Sequence, residues 1–167
     1  MVELDGLENR CARKGTVGSN PTLSATMAYW LTQDKVMKDS IFTKIIKGEI
    51  PCYRVHEDNK TLAFLDIHPI QPGQTLVVPK TQVEYVWDLP DEDYHALMAT
   101  AKQVAQHLKQ VFPEKSRIAM HIEGLDVAHA HLKIFPFDND AEFCHCPNME
   151  VEADHQQLAA IASKLAF

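Results

Sequence analysis

Cysteine, net positive charge, long apolar runs and repeats are all scarce in this chain, and each shortage excludes something. The four cysteines of 167 residues (Cys11, Cys52, Cys144 and Cys146) are too few and too scattered for a disulfide framework. That usage points to a reducing, cytoplasmic setting. Lys and Arg number 16 against 23 Asp and Glu, a formal net charge of −7. A polyanion-binding surface needs a basic face, so nucleic acid is not an expected partner. A small basic site for one mononucleotide remains allowed. No apolar run approaches bilayer length, and no charged start leads into an apolar core, so neither a membrane span nor a signal peptide is expected. Internal repeats and low-complexity segments are also missing.

What is present is ordinary for a globular domain. Hydrophobic residues make up 46% and charged residues 23%, and the length suffices for one domain with a core. Residues 1–36 stand apart, because Gly6, Gly15, Gly18, Ser19, Asn20, Pro21, Ser24 and Thr26 interrupt any helical or strand period. Gly18-Ser19-Asn20-Pro21 is also what translation of a transfer-RNA TψC arm would yield. The preferred expectation is a mis-called leader ahead of a start at Met37, or at Met27; the other is a genuine flexible extension. The domain is expected over 37–167.

From Met37 the pattern tightens. Asp39-Ser40 can cap a short helix over 41–46, closed by Gly48 and Pro51. Residues 53–57 and 61–66 read as paired strands about an Asp58-Asn59 turn, and 75–78 as a more buried strand entered through Pro72-Gly73. Tyr94, Leu97, Met98, Ala101, Val104, Ala105, Leu108, Val111 and Phe112 recur with helical period, after an acidic Asp91-Glu92-Asp93 start and before Pro113. A fourth strand is expected over 117–121 and an amphipathic helix over 154–166. The class is α+β: an antiparallel sheet of about five strands with its helices on one face.

The fifth strand carries the chemistry. In Val127-Ala128-His129-Ala130-His131-Leu132-Lys133-Ile134-Phe135-Pro136, strict alternation puts Ala128, Ala130, Leu132 and Ile134 on one face. His129, His131 and Lys133 share the other, where same-face neighbours lie roughly 6.5–7 Å apart. Two imidazoles beside an ammonium suit attack on an anionic phosphorus. A His-x-His pair also suits a metal, and a solvated sheet face needs no task. The strand alone leaves all three readings open.

Four segments in order resemble the histidine triad (HIT) superfamily: 39–51 (DSIFTKIIKGEIP), 61–80 (TLAFLDIHPIQPGQTLVVPK), 88–93 (DLPDED) and the His129-x-His131 strand. The likeness runs from about 37 to 137. It implies a HIT-like fold and a nucleotide hydrolase or nucleotidyl transferase acting at the α-phosphate. By the resemblance His131 is the nucleophile, forming a nucleotidyl-histidine that water hydrolyses, with its other ring nitrogen held on a backbone carbonyl. His129 supports it. Asp66 matches the residue that binds ribose hydroxyls, and Ile41, Phe42, Ile45, Phe64 and Ile67 match positions lining the base pocket, although plain core would suit those five nearly as well. The implied partners are a purine nucleotide or nucleotide conjugate and a second copy of the chain in a homodimer.

The departures are as informative. Lys133 replaces the third histidine. Gln74 replaces a histidine common in the Pro-Gly-His segment, and Gly124 lies in a shortened Glu123–Asp126 loop; both are counted with the substrate-binding residues. Asp126 falls near a phosphate-contacting Ser or Thr of other members, where it would repel phosphate. A cation at Lys133 disfavours protonation of His131 and offers three donors to phosphate oxygens. Ser40 and Thr43 stand where some members carry a zinc-binding Cys-x-x-Cys, and Cys144-His145-Cys146 is too compact to encircle an ion, so no metal or cofactor is expected. The alternative function is a nucleotide-binding or interaction protein that has lost turnover. Of the other histidines, His56, His95 and His107 read as surface residues, and His68 and His121 as possible neighbours of the site.

Overall fold

The computed structural model of the protein describes residues 38–124 and 126–167. The expectations for the 1–36 leader and a start at Met27 or Met37 lie outside the described residues, as does Leu125 of the shortened loop.

Helix α1 (Ile41–Ile46) starts where the sequence places it, with Ser40 Oγ accepting from the Thr43 amide at 3.0 Å. Strands β1 (Arg54–Glu57) and β2 (Thr61–Leu65) form the expected hairpin. Its turn is closed by Asp58, whose Oδ1 accepts from the Lys60 and Thr61 amides at 2.8 and 2.7 Å. Strand β3 (Thr75–Pro79) follows, then helix α2 (Asp91–Val111), with its acidic first turn at the positive helix end. Strand β4 (Arg117–Glu123) continues two residues beyond expectation. Strand β5 spans His131–Phe137, helix α3 Asp140–Phe143, and helix α4 His155–Leu165, which Asp154 caps. The sheet runs β1-β2-β3-β5-β4, and every neighbouring pair is antiparallel.

Two layers cover the sheet, which corrects the expectation that all helices lie on one side. Ala63, Leu65, Val77, Leu132 and Ile134 pack with Leu97, Val104 and Leu108 of α2 and with Leu158 and Leu165 of α4. Leu97 and Leu108 are fully buried, each worth about 1.5–3 kcal/mol relative to exposure. The alternate residues Leu62, Phe64, Leu76 and Val78 pack instead with Phe42 and Ile45 of α1. Strands buried on both faces lose the apolar/polar alternation that announces a one-sided sheet. The β3 run is therefore legible as a buried strand and the β2 run as a hairpin partner, but neither as buried on both sides.

The turn before β3 depends on Gly73. Its φ is +88°, and an added Cβ would stand 2.6 Å from the Phe112 ring. Left-handed backbone and close approach both demand glycine there.

Candidate active site

The register assembles the site face. Phe64 pairs with Leu76, Leu76 with Lys133, and Lys133 with His121, so these four side chains share one side of the sheet. His131 lies two residues before Lys133 on that same side. Strand β5 begins only at His131, however, so His129 belongs to the approach to the strand rather than to it. Nor are the two imidazoles outward: His129 is completely buried and His131 is 4% exposed, beneath α1. The Phe42 ring meets His131 edge to face at 5.0 Å and 70°, and His129 at 5.8 Å and 70°. Lys133 is half-buried.

Hydrogen bonds assign the protons. A carbonyl oxygen can only accept, so His131 Nδ1–H donates to the His129 carbonyl at 2.8 Å. In the neutral ring the lone pair then sits on Nε2. By the same logic His129 Nε2–H donates to the Pro79 carbonyl at 2.8 Å, which leaves its Nδ1 to accept from the Ser40 hydroxyl at 2.8 Å. Burial, the largest influence, together with neighbouring His131, pushes the His129 ring below its ordinary proton affinity, against the opposing effect of the Pro79 bond. His129 is thus held neutral, with both nitrogens engaged inside the protein. Its carbonyl, rather than its ring, serves His131.

Beyond His129 the network continues to the α1 cap. Thr43 Oγ1 donates to Gln82 Oε1, Ser40 N–H donates to the same oxygen at 3.1 Å, and Gln82 Nε2 donates to the Lys38 carbonyl at 3.0 Å. Ser40 was legible as a helix cap but not as a partner of a histidine 89 positions away. Gln82 had no signal at all, because a lone glutamine after a strand is ordinarily a solvated residue.

Asp66 follows β2. Its Oδ1 accepts from the His68 amide at 3.0 Å and its Oδ2 from Gln74 Nε2 at 2.6 Å. Gln74 is 1% exposed, so it faces Asp66 rather than open space. Of the other expected lining residues, Phe42, Ile45 and Phe64 are buried core, while Ile41 and Ile67 are half exposed. Ile67 and His68 form one wall of a cavity of about 300 Å³ whose far wall is built from the 145–157 segment. Gly124 comes one residue after the Glu123–His131 pairing and borders a separate cavity of about 150 Å³ with Trp87 and Ile122. Asp126 is exposed. His121 stands opposite Lys133, its ring edge-on to Phe135 and Phe143, both at 4.9 Å. His56 and His107 are not plain surface residues, for both pack on the Phe167 ring, at 4.6 and 4.9 Å. Cys144 and Cys146 are exposed free thiols. Among the described residues no group of three or more His, Cys, Asp or Glu is arranged to hold a metal ion, and no helix is long and apolar enough to cross a membrane.

Known proteins are similar to this chain in sequence and in fold. The HIT-like protein of Bartonella henselae, solved as a crystal structure with an unknown ligand, superposes with a TM-score of 0.64 at 29% identity, covering 76% of this chain and 94% of that one. An uncharacterized HIT-like protein of Methanocaldococcus jannaschii is 39% identical over 106 residues, 61% of this chain and 82% of its own. The adenosine 5'-monophosphoramidase of Schizosaccharomyces pombe is 36% identical over 103 residues, 60% of this chain and 75% of its own. Residues 47–140 match the HIT domain itself, and the chain belongs to the HIT family.

Proposed function

We propose that the protein is a nucleotide hydrolase in which His131 Nε2 attacks the α-phosphorus of a purine nucleotide conjugate. The observation that carries this reading is the 2.8 Å bond from His131 Nδ1 to the His129 carbonyl, which fixes the proton on Nδ1 and so puts the lone pair of the neutral ring on Nε2. Attack forms the N–P bond as the bond to the leaving group breaks, the electron pair departing with that group. Water then cleaves the nucleotidyl-histidine, releasing the nucleoside monophosphate and the imidazole. Lys133, on the same face, supplies positive charge to the phosphate oxygens as charge shifts between them. His129 positions His131 through its carbonyl and takes no part in proton transfer to substrate. Asp66 receives the ribose hydroxyls, and Ile41 and Ile67 offer exposed apolar surface to the base. Gly124 leaves its loop without a side chain near the end of β4.

The monophosphoramidase relative supports a phosphoramidate substrate. Release of AMP from adenosine 5'-phosphoramidate by the wild type, and its loss in His131→Ala, tests the assignment. Tight binding of AMP without turnover would instead favour a nucleotide-binding protein.

The same reading includes a homodimer. Strand β4 ends the sheet order, and Met120 and Ile122 on it are 42% and 38% exposed, with Trp87 nearby at 71%. An edge strand beside exposed large apolar residues is a surface that a second copy would cover.

A further inference from the structure

The loop between β2 and β3 is organised around one buried amide. Gln74 Oε1 accepts from the Ile70 amide at 2.9 Å. Because only the oxygen can accept that bond, the NH₂ end must point the other way, into Asp66 Oδ2 at 2.6 Å. The backbones of the same two residues are joined as well, Asp66 N–H donating to the Gln74 carbonyl at 3.0 Å, while Gln74 N–H closes the turn on Gln71 at 3.0 Å. Each Asp66 oxygen therefore has one protein donor, His68 N–H on Oδ1 and Gln74 on Oδ2. A carboxylate oxygen has a second lone pair, and both second lone pairs lie in one fixed plane.

We propose that Gln74 is a positioning residue that makes Asp66 a reader of the ribose cis-diol, so that the site selects ribonucleotides over nucleotides lacking the 2'- and 3'-hydroxyls. This rests on the reading of Asp66 as the ribose acceptor. Two adjacent hydroxyls can each donate to one carboxylate oxygen only while the carboxylate plane is held. An unheld carboxylate rotates about its terminal bond, which has no sharp staggered wells. A glutamine donates its N–H at every pH, whereas a histidine at this position would change its donors as it titrated. The choice of glutamine makes the diol contact independent of pH.

Titration calorimetry of the full-length protein with AMP and with 2',3'-dideoxyadenosine 5'-monophosphate tests this. The wild type should prefer AMP by about 10-fold or more, as expected for hydrogen bonds to a charged acceptor, at every pH between 5 and 8. Gln74→Met should lose most of that preference while its affinity for the dideoxy ligand stays unchanged. Gln74→Glu keeps an acceptor for Ile70 N–H, so it tests the role should Gln74→Met fail to fold. Its new carboxylate faces Asp66 and donates only once the pair shares a proton. The AMP-to-dideoxy ratio of Gln74→Glu should therefore be near one at pH 8 and rise toward the wild-type ratio at pH 5. A strut with only a structural part would lower both affinities together and show no such rise. A wild-type preference that survives unchanged in the variants would overturn the role of Gln74 alone. Equal binding of the two ligands by the wild type would overturn the ribose role of Asp66 as well.

Discussion

Phe42 and His131 sit edge to face at 5.0 Å, although one belongs to α1 and the other opens β5. The same helix ends its N-terminus on His129 through Ser40. Helix α1 is thus a wall of the site, fixed at one end by a hydrogen bond and along its side by an aromatic contact.

Ser40→Ala removes both the helix cap and the hydroxyl that serves His129 Nδ1, leaving a buried ring nitrogen without that donor. The expected loss is about 1–3 kcal/mol of stability, measured by urea unfolding. Ser40→Thr, which restores a hydroxyl, should recover most of it. A loss under a few tenths of a kcal/mol would show that the network does not hold α1.

Lys133→Ala should slow the chemical step by about 10²–10³-fold, the usual consequence of removing one preorganised charge. Substrate affinity should change far less, and Lys133→His should recover part of the rate. Single-turnover measurements separate the two effects. An unchanged rate would mean that the ammonium takes no part.

Stability should fall on mild acidification, and the sign follows from His129. Its folded proton affinity lies below the ordinary 6.5, chiefly through burial. The unfolded chain therefore takes up a proton first as pH falls, and stability is lost from about pH 6.5 down through the lower folded value. The lowered carboxyls of Glu57, Asp58, Asp93 and Asp138 act only beneath their ordinary 3.8–4.5. Urea unfolding at pH 7.5 and 5.5 stays above the carboxyl range, and His129→Asn should shrink the difference whatever its own stability. A wild type equally stable at both values would contradict a buried neutral His129.

Met120→Lys and Ile122→Lys should convert a dimer to a monomer in sedimentation equilibrium while leaving the far-ultraviolet spectrum unchanged. A wild-type monomer at micromolar concentration would remove the homodimer from the account.

How much of this was legible in the sequence differs by residue. The long α2 was plain because its apolar positions recur with helical period and its ends carry acid and Pro113. The β1–β2 hairpin was plain because Asp58 has a local mechanism for closing a turn. His131 and Lys133 were found because alternation assigns faces. The same alternation put His129 on the face of His131, where Phe42 meets both rings. But it also put His129 inside the strand, whose start at His131 depends on where pairing with β3 and β4 begins, a nonlocal matter. It also presented the histidine face as outward, because nothing local to the strand says that α1 folds back over it. Gln74 was expected among the substrate-binding residues, and only its burial and its two amide bonds reveal what it holds. Contacts such as Ser40–His129 and Gln82–Thr43 join residues far apart in the chain and carry no periodic signature.

Covalent trapping shows which side chain is the nucleophile. The wild type is mixed with adenosine 5'-phosphoramidate, quenched in base within one turnover, digested, and the peptide containing residues 129–133 is weighed and sequenced by mass spectrometry. An added adenylyl group is expected on His131 and is expected to be absent from His131→Ala. An adduct on His129 or Lys133, or turnover at wild-type rate by His131→Ala, would contradict it.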